Sequence, residues 1–147
     1  METSSETKKQ WSVLVVEDFL PFRRAILLIL AEMSDLQVVG ETAHGMEAVQ
    51  KAVELKPDLI LLDIGLPSLN GIEVARQIRR LVPESKIIFL TQETAVDVVQ
   101  EAIGTGAKGY VVKMKAGNDL LSALKAVLSG KTFISRLSPT DNFTFPD

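Results

Sequence analysis

Residues 58–71 read DLILLDIGLPSLNG, and this stretch decides how the chain folds. The four consecutive apolar residues at 59–62 are typical of a strand that is buried on both faces of a sheet. Asp63 follows this run directly, and a proline and a glycine then mark a turn before the next helix-like segment. The stretch therefore predicts a buried strand that ends in a carboxylate at the start of a loop.

The same alternation extends along the chain in both directions. Four more segments have the texture of strands, the second of them weakly: 13–16, 36–40, 87–90 and 110–112. Five segments carry an apolar stripe at helical spacing: 23–33, 46–55, 71–81, 94–103 and 119–128. Strands that alternate with helices predict a parallel sheet covered on both faces. We therefore expect an α/β, doubly wound, five-stranded parallel sheet in the order 2-1-3-4-5.

Length and composition exclude several classes of protein. The chain has 147 residues, a net charge of −3, no cysteine and a single histidine, His44. This length fits one domain, and without cysteine there is no disulfide framework and no thiolate chemistry. One histidine argues against a histidine-rich metal site and against a Ser-His-Asp triad. No apolar run approaches the roughly 20 residues of a membrane span, so we expect a cytoplasmic domain with no membrane contact.

Polar side chains follow four of the five predicted strands. Glu17 and Asp18 end the first strand, Asp63 the third, Thr91 the fourth and Lys113 the fifth. The carboxyl ends of parallel strands share the edge where open α/β sheets bind ligands, so these side chains are expected to gather there. Crowded carboxylates need a compensating cation, and oxygen ligands without histidine or cysteine select Mg²⁺.

This set of groups suits phosphoryl transfer to a carboxylate. Asp63 at the centre can act as a nucleophile and form an acyl phosphate. A metal held by Asp18 and Glu17, the ammonium of Lys113 and the hydroxyl of Thr91 would neutralise the phosphoryl oxygens. The sequence therefore predicts a phosphoaspartate site.

The chain resembles the receiver domain of bacterial two-component response regulators over residues 11–135, with the CheY-like form of the flavodoxin-like fold. The resemblance rests on VVED at 15–18, on the Asp-x-x-x-Pro-x-x-x-Gly spacing within 58–71, on FLT at 89–91 and on GAKGYVVK at 106–113. Each motif alone is weak, and the combination is specific.

The resemblance implies a role for each site residue. Asp63 would accept a phosphoryl group from a sensor histidine kinase or a phosphotransfer protein. Asp18, Asp63 and the backbone carbonyl of Gly65 would hold Mg²⁺, and Glu17 would act largely through water. Lys113 would pair with the phosphoryl group and assist its transfer.

The resemblance also implies a conformational switch and an output. Thr91 would move to hydrogen-bond the phosphoryl group, and Tyr110 would turn inward in concert, which reshapes the face of the fourth helix, fifth strand and fifth helix. Residues 115–135 resemble the NarL/LuxR-type subfamily, in which a DNA-binding domain usually follows. We therefore expect transcription control through a domain that this chain lacks, with no direct nucleic acid contact here, and a homodimer through a helical face.

Domain boundaries follow from the polar first ten residues, from the extent of the resemblance, and from the prolines and low periodicity near the end. We expect a disordered segment at 1–10, a receiver domain at 11–135, and a tail or linker stub at 136–147.

Three alternatives to a receiver that is switched by phosphorylation are weaker. An aspartyl phosphatase commonly has a second acid two positions after the nucleophile, where this chain has Gly65. A receiver that serves only as a protein-binding scaffold is left open by Gln92, because receivers commonly have a small residue at this position. A flavin site is disfavoured, because the acidic loop after the first strand would repel the cofactor phosphate.

Overall fold

The structure is a computed structural model, and it describes residues 10–137 and 143–146. The predicted disordered segment, apart from Gln10, lies outside the described residues, as do residues 138–142 and 147 of the predicted tail. Among the described residues, no helix has both the length and the apolar character needed to cross a membrane.

The fold is a parallel sheet with helices on both faces, as the sequence predicts. Its strands are β1 (Trp11–Val16), β2 (Leu36–Thr42), β3 (Leu59–Leu62), β4 (Lys86–Thr91), β5 (Gly109–Val112) and β6 (Phe133–Ile134). Its helices are α1 (Leu20–Leu30), α2 (Gly45–Leu55), α3 (Gly71–Leu81), α4 (Val96–Ile103) and α5 (Ala116–Leu128). The sheet order is β2-β1-β3-β4-β5-β6, which confirms the predicted order of the first five strands.

The sixth strand corrects the predicted strand count. β6 has two residues and pairs in parallel with β5, Phe133 opposite Gly109 and Ile134 opposite Tyr110. Two residues are too few to show a period of two, so the sequence gives no strand signal there. As a result β5, expected at the edge of the sheet, is an interior strand along part of its length.

The core consists of two apolar layers on opposite faces of the sheet. Side chains alternate along each strand, so that Leu14 and Val16 of β1 face α2, α3 and α4, whereas Val13 and Val15 face α1 and α5. Strands β3 and β5 are buried throughout, which explains their continuous apolar sequences.

Helix boundaries depend on local features that the apolar stripes do not show. α3 begins at Gly71 as predicted, because the Asn70 side chain accepts hydrogen bonds from the amides of Ile72 (2.9 Å) and Glu73 (3.1 Å). α1 begins at residue 20, three residues before the predicted start, with a proline in its first turn. α5 begins at residue 116, three residues before the predicted start.

Candidate functional site

Three carboxylates gather at the carboxyl edge of the sheet, where the sequence places them. Glu17 and Asp18 lie in the loop between β1 and α1, and Asp63 directly follows β3. One oxygen from each lies within 4.8 Å of the others. Glu17 and Asp63 are buried, with 1% and 5% of their surface exposed, whereas Asp18 is open to solvent. The cluster thus has a buried floor and an accessible side.

Lys113 joins the cluster from the end of β5. Its Nζ lies 2.8 Å from Oε1 of Glu17 and 3.1 Å from Oδ2 of Asp63. The same ammonium lies 4.8 Å from the centre of the Phe22 ring on α1, a cation–π contact that holds it from the apolar side. Phe22 could not be selected from the sequence, since its spacing in α1 is that of an ordinary apolar residue.

Burial and charge act against each other at this cluster. Burial raises the pKa of Glu17, although its bond with Lys113 limits the rise. Burial alone would lower the pKa of Lys113, but the bond to Glu17 and the charge of Asp63 outweigh it, so the pKa is raised. Three carboxylates therefore face one fully charged ammonium, and the negative excess suits a hard divalent cation with oxygen ligands.

The predicted switch residues meet at the backbone of one residue, Glu93, in the loop after β4. The amide of Glu93 donates to Oγ1 of Thr91 at 3.4 Å, and its carbonyl accepts from the Tyr110 hydroxyl at 2.8 Å. Thr91 and Tyr110 are both buried, and the Tyr110 ring packs 6.1 Å from that of Phe89. Tyr110 is therefore turned inward in this structure, and burial raises its pKa far above the ordinary value.

Two backbone arrangements fix the loops that carry the carboxylates. Gly71 donates its amide to the carbonyl of Ile64 at 2.8 Å, and a Cβ at this glycine would overlap the carbonyl oxygen of Asp63. On the other loop, Nη1 of Arg23 donates to the carbonyl of Glu17 at 2.9 Å. Only glycine fits at position 71, which gives the Asp-x-x-x-Pro-x-x-x-Gly spacing a physical cause.

An open cleft of about 810 Å³ leads to the cluster. Its walls include every predicted site residue except Glu17 and Tyr110, namely Asp18, Asp63, Gly65, Thr91 and Lys113. Two large apolar side chains, Phe19 (60% exposed) and Met114 (86% exposed), stand at the same cleft. The structure thus brings the predicted groups together around a space that a ligand can enter from solvent.

Comparison with known proteins agrees with this geometry. The profile of the family described as "Response regulator receiver domain" matches residues 13–125. The response regulator protein VraR of Staphylococcus aureus is 37% identical over 120 residues, which cover 82% of this chain and 57% of VraR. The chain therefore spans little more than half the length of this relative.

Solved structures give the same result. A two-component response regulator of the LuxR family from an Aurantimonas species superimposes with a TM-score of 0.82 at 28% identity, covering 86% of this chain and 91% of that one. The response regulator domain of CheB from Thermotoga maritima does so with a TM-score of 0.76 at 30% identity, covering 82% and 98%.

Proposed function

The chain belongs to the family of response regulator receiver domains, and from its site we propose that Asp63 accepts a phosphoryl group from a histidine kinase or a phosphotransfer protein. The observation that carries this proposal is the position of the Asp63 carboxylate. It is nearly buried, lies 3.1 Å from the Lys113 ammonium, and still lines a cleft that is open to solvent. A carboxylate placed in this way has a charged partner for the incoming phosphoryl oxygens and a path for the donor.

In the proposed reaction an Asp63 oxygen forms a bond to phosphorus while the bond from phosphorus to the donor histidine nitrogen breaks. The Asp63 Oδ1 atom is held by the Gly65 amide at 3.3 Å and Oδ2 by Lys113, so the carboxylate orientation is set before the donor arrives. Lys113 can then stabilise negative charge on the transferred group.

The acidic cluster fits Mg²⁺, which would supply neutralising charge for the phosphoryl oxygens. Asp18, Asp63 and the Gly65 carbonyl are proposed to hold the ion, with Glu17 contributing largely through water. Glu17 already forms an ion pair with Lys113. The proposed role of Glu17 is therefore to set the charge on the buried side of the site. The same groups would assist hydrolysis of the acyl phosphate, so the domain would take part in its own dephosphorylation.

Phosphorylation is proposed to stabilise one of two conformations through Thr91 and Tyr110. The link through Glu93 supports this, because Thr91 bonds its amide and Tyr110 bonds its carbonyl, so a movement of either side chain acts on the backbone of the same residue. Similarity to a regulator of the LuxR family supports transcription as the output, through a DNA-binding domain outside residues 11–135. A homodimer through a helical face stays a prediction. The cytoplasmic location and the boundaries at residues 10 and 135 stay predictions.

Intact mass spectrometry after incubation with acetyl phosphate and Mg²⁺ tests the proposal. We expect the wild type to gain the mass of one phosphoryl group and Asp63→Asn to gain none. Asp58→Asn is the matched control, because Asp58 directly precedes β3 at the opposite edge of the sheet, where its Oδ2 accepts a hydrogen bond from the amide of Ser12 at 2.8 Å. Equal labelling of Asp63→Asn and the wild type would refute the assignment of Asp63.

A further inference from the structure

The chain continues beyond α5 into a segment that packs back on the domain. We call residues 133–137 and 143–146 the C-terminal strap. It begins as β6, which pairs with the first half of β5. β5 carries Tyr110 and leads directly into Lys113, so the strap lies against the strand that connects the proposed switch residue with the site.

Ser135 fastens the strap to β5 and to α5. Its amide donates to the carbonyl of Tyr110 at 2.8 Å, and its Oγ accepts from the amide of Val112 at 3.1 Å. The same Oγ donates to Oδ2 of Asp119, in the first turn of α5, at 2.7 Å. Ser135 is 1% exposed, so these bonds are shielded from water. One side chain thus joins the last residue before Lys113 to the following helix.

The apolar side chains of the strap pack against the core layer to which Tyr110 belongs. The partly buried side chains that pack against this layer from the strap are Ile134, Leu137, Phe143 and Phe145. The layer itself contains Tyr110 and Val112. Thr144, between the two phenylalanines, is exposed, which shows that this part of the strap has an inner and an outer side.

We propose that the C-terminal strap braces β5 with Tyr110 turned inward, so that docking of the strap and phosphorylation of Asp63 favour each other. This inference rests on the proposed function, in which the inward position of Tyr110 accompanies phosphorylation. Ile134 is the register neighbour of Tyr110, and the Tyr110 ring is fully buried, so an outward turn would have to disturb this contact. Coupling between two sites is reciprocal, so a docked strap that favours the inward position of Tyr110 favours phosphorylation, and phosphorylation favours docking of the strap.

Hydrogen exchange tests whether the strap braces β5. We expect faster exchange in peptides that cover residues 109–113 in the double variant Phe143→Ala/Phe145→Ala, because its apolar anchor is lost. Thr144→Ala is the matched control and should exchange like the wild type. Ser135→Ala is a second, smaller change that removes the side-chain bonds to Val112 and Asp119. It should also make the amides of residues 109–113 exchange faster. If the β5 amides exchange at the wild-type rate in both strap variants, the proposal that the strap braces β5 is wrong.

The rate of phosphorylation by acetyl phosphate tests the coupling. We expect the double variant to be phosphorylated about fivefold more slowly than the wild type, the low end of common couplings between sites, with Thr144→Ala unchanged. Circular dichroism confirms that each variant is folded. If the folded strap variants are phosphorylated as fast as the wild type or faster, docking of the strap and phosphorylation of Asp63 are not coupled, and the proposed function is unaffected. A wild type that is not phosphorylated would overturn the proposed function, and the coupling with it.

Discussion

Gly71→Ala tests whether the loop that carries Asp63 is held by a backbone contact that only glycine permits. Gly71 is the first residue of α3, where alanine would normally be favoured over glycine. The new methyl group, however, would overlap the carbonyl oxygen of Asp63 and crowd the backbone of Ile64. Backbone atoms cannot rotate away as a side chain can, so the loop after β3 would have to move.

The expected cost is at the upper end of overpacking changes, about 3 kcal/mol in the free energy of unfolding. Urea denaturation measures this value. Gly117→Ala is the matched control, because Gly117 lies in the first turn of α5 with no atom within 4 Å of the added carbon. There we expect a gain of up to about 1 kcal/mol, since alanine restricts the unfolded chain.

The same substitution should slow phosphorylation, because a displacement of about 1 Å at a reacting group can cost about a hundredfold in rate. The rate with acetyl phosphate should therefore fall in Gly71→Ala and stay unchanged in Gly117→Ala. If Gly71→Ala proves as stable as Gly117→Ala and reacts at the wild-type rate, the structural reason given for the motif is wrong.

Three further predictions concern the charges and the tyrosine of the site. Lys113→Met should lower the free energy of unfolding by about 3 kcal/mol without metal, because Glu17 and Asp63 lose their buried partner; a denaturation curve matching the wild type would contradict this. Mg²⁺ should raise the unfolding free energy, by about 2.7 kcal/mol at a hundred times its Kd, and Asp18→Asn should need more Mg²⁺ for the same effect; identical titrations would exclude Asp18 as a ligand. Burial raises the pKa of Tyr110 above its ordinary value of 10, so stability should fall as the pH rises past 10, where the unfolded chain releases this proton first. The tyrosinate absorbance should then appear only as the chain unfolds, and Tyr110→Phe should remove that part of the slope.

Most of the fold could be predicted because its central strands are buried on both faces. β1, β3 and β4 each contain four consecutive apolar residues, and a polar residue follows each of these runs at the same edge of the sheet. The gathering of Glu17, Asp63 and Lys113 follows from this topology, since parallel strands bring their carboxyl ends together.

The features that could not be predicted depend on contacts between distant segments. β6 has no pattern of its own and forms because β5 offers an unpaired edge, to which Ser135 adds side-chain bonds. Phe22 and Lys113 are in contact although they lie far apart in the sequence, and no spacing rule relates the two. The bonds through Glu93 involve its backbone, so the identity of its side chain gives no sign of them.

The central claim is that Asp63 becomes an aspartyl phosphate, and chemical trapping tests it most directly. Borohydride reduces an aspartyl phosphate to homoserine, so tandem mass spectrometry of the treated protein locates the modified residue. After incubation with Mg²⁺ and a phosphoryl donor, we predict homoserine at position 63 and at no other acidic position. Homoserine at Asp18 or at another aspartate, with Asp63 intact, would contradict the account.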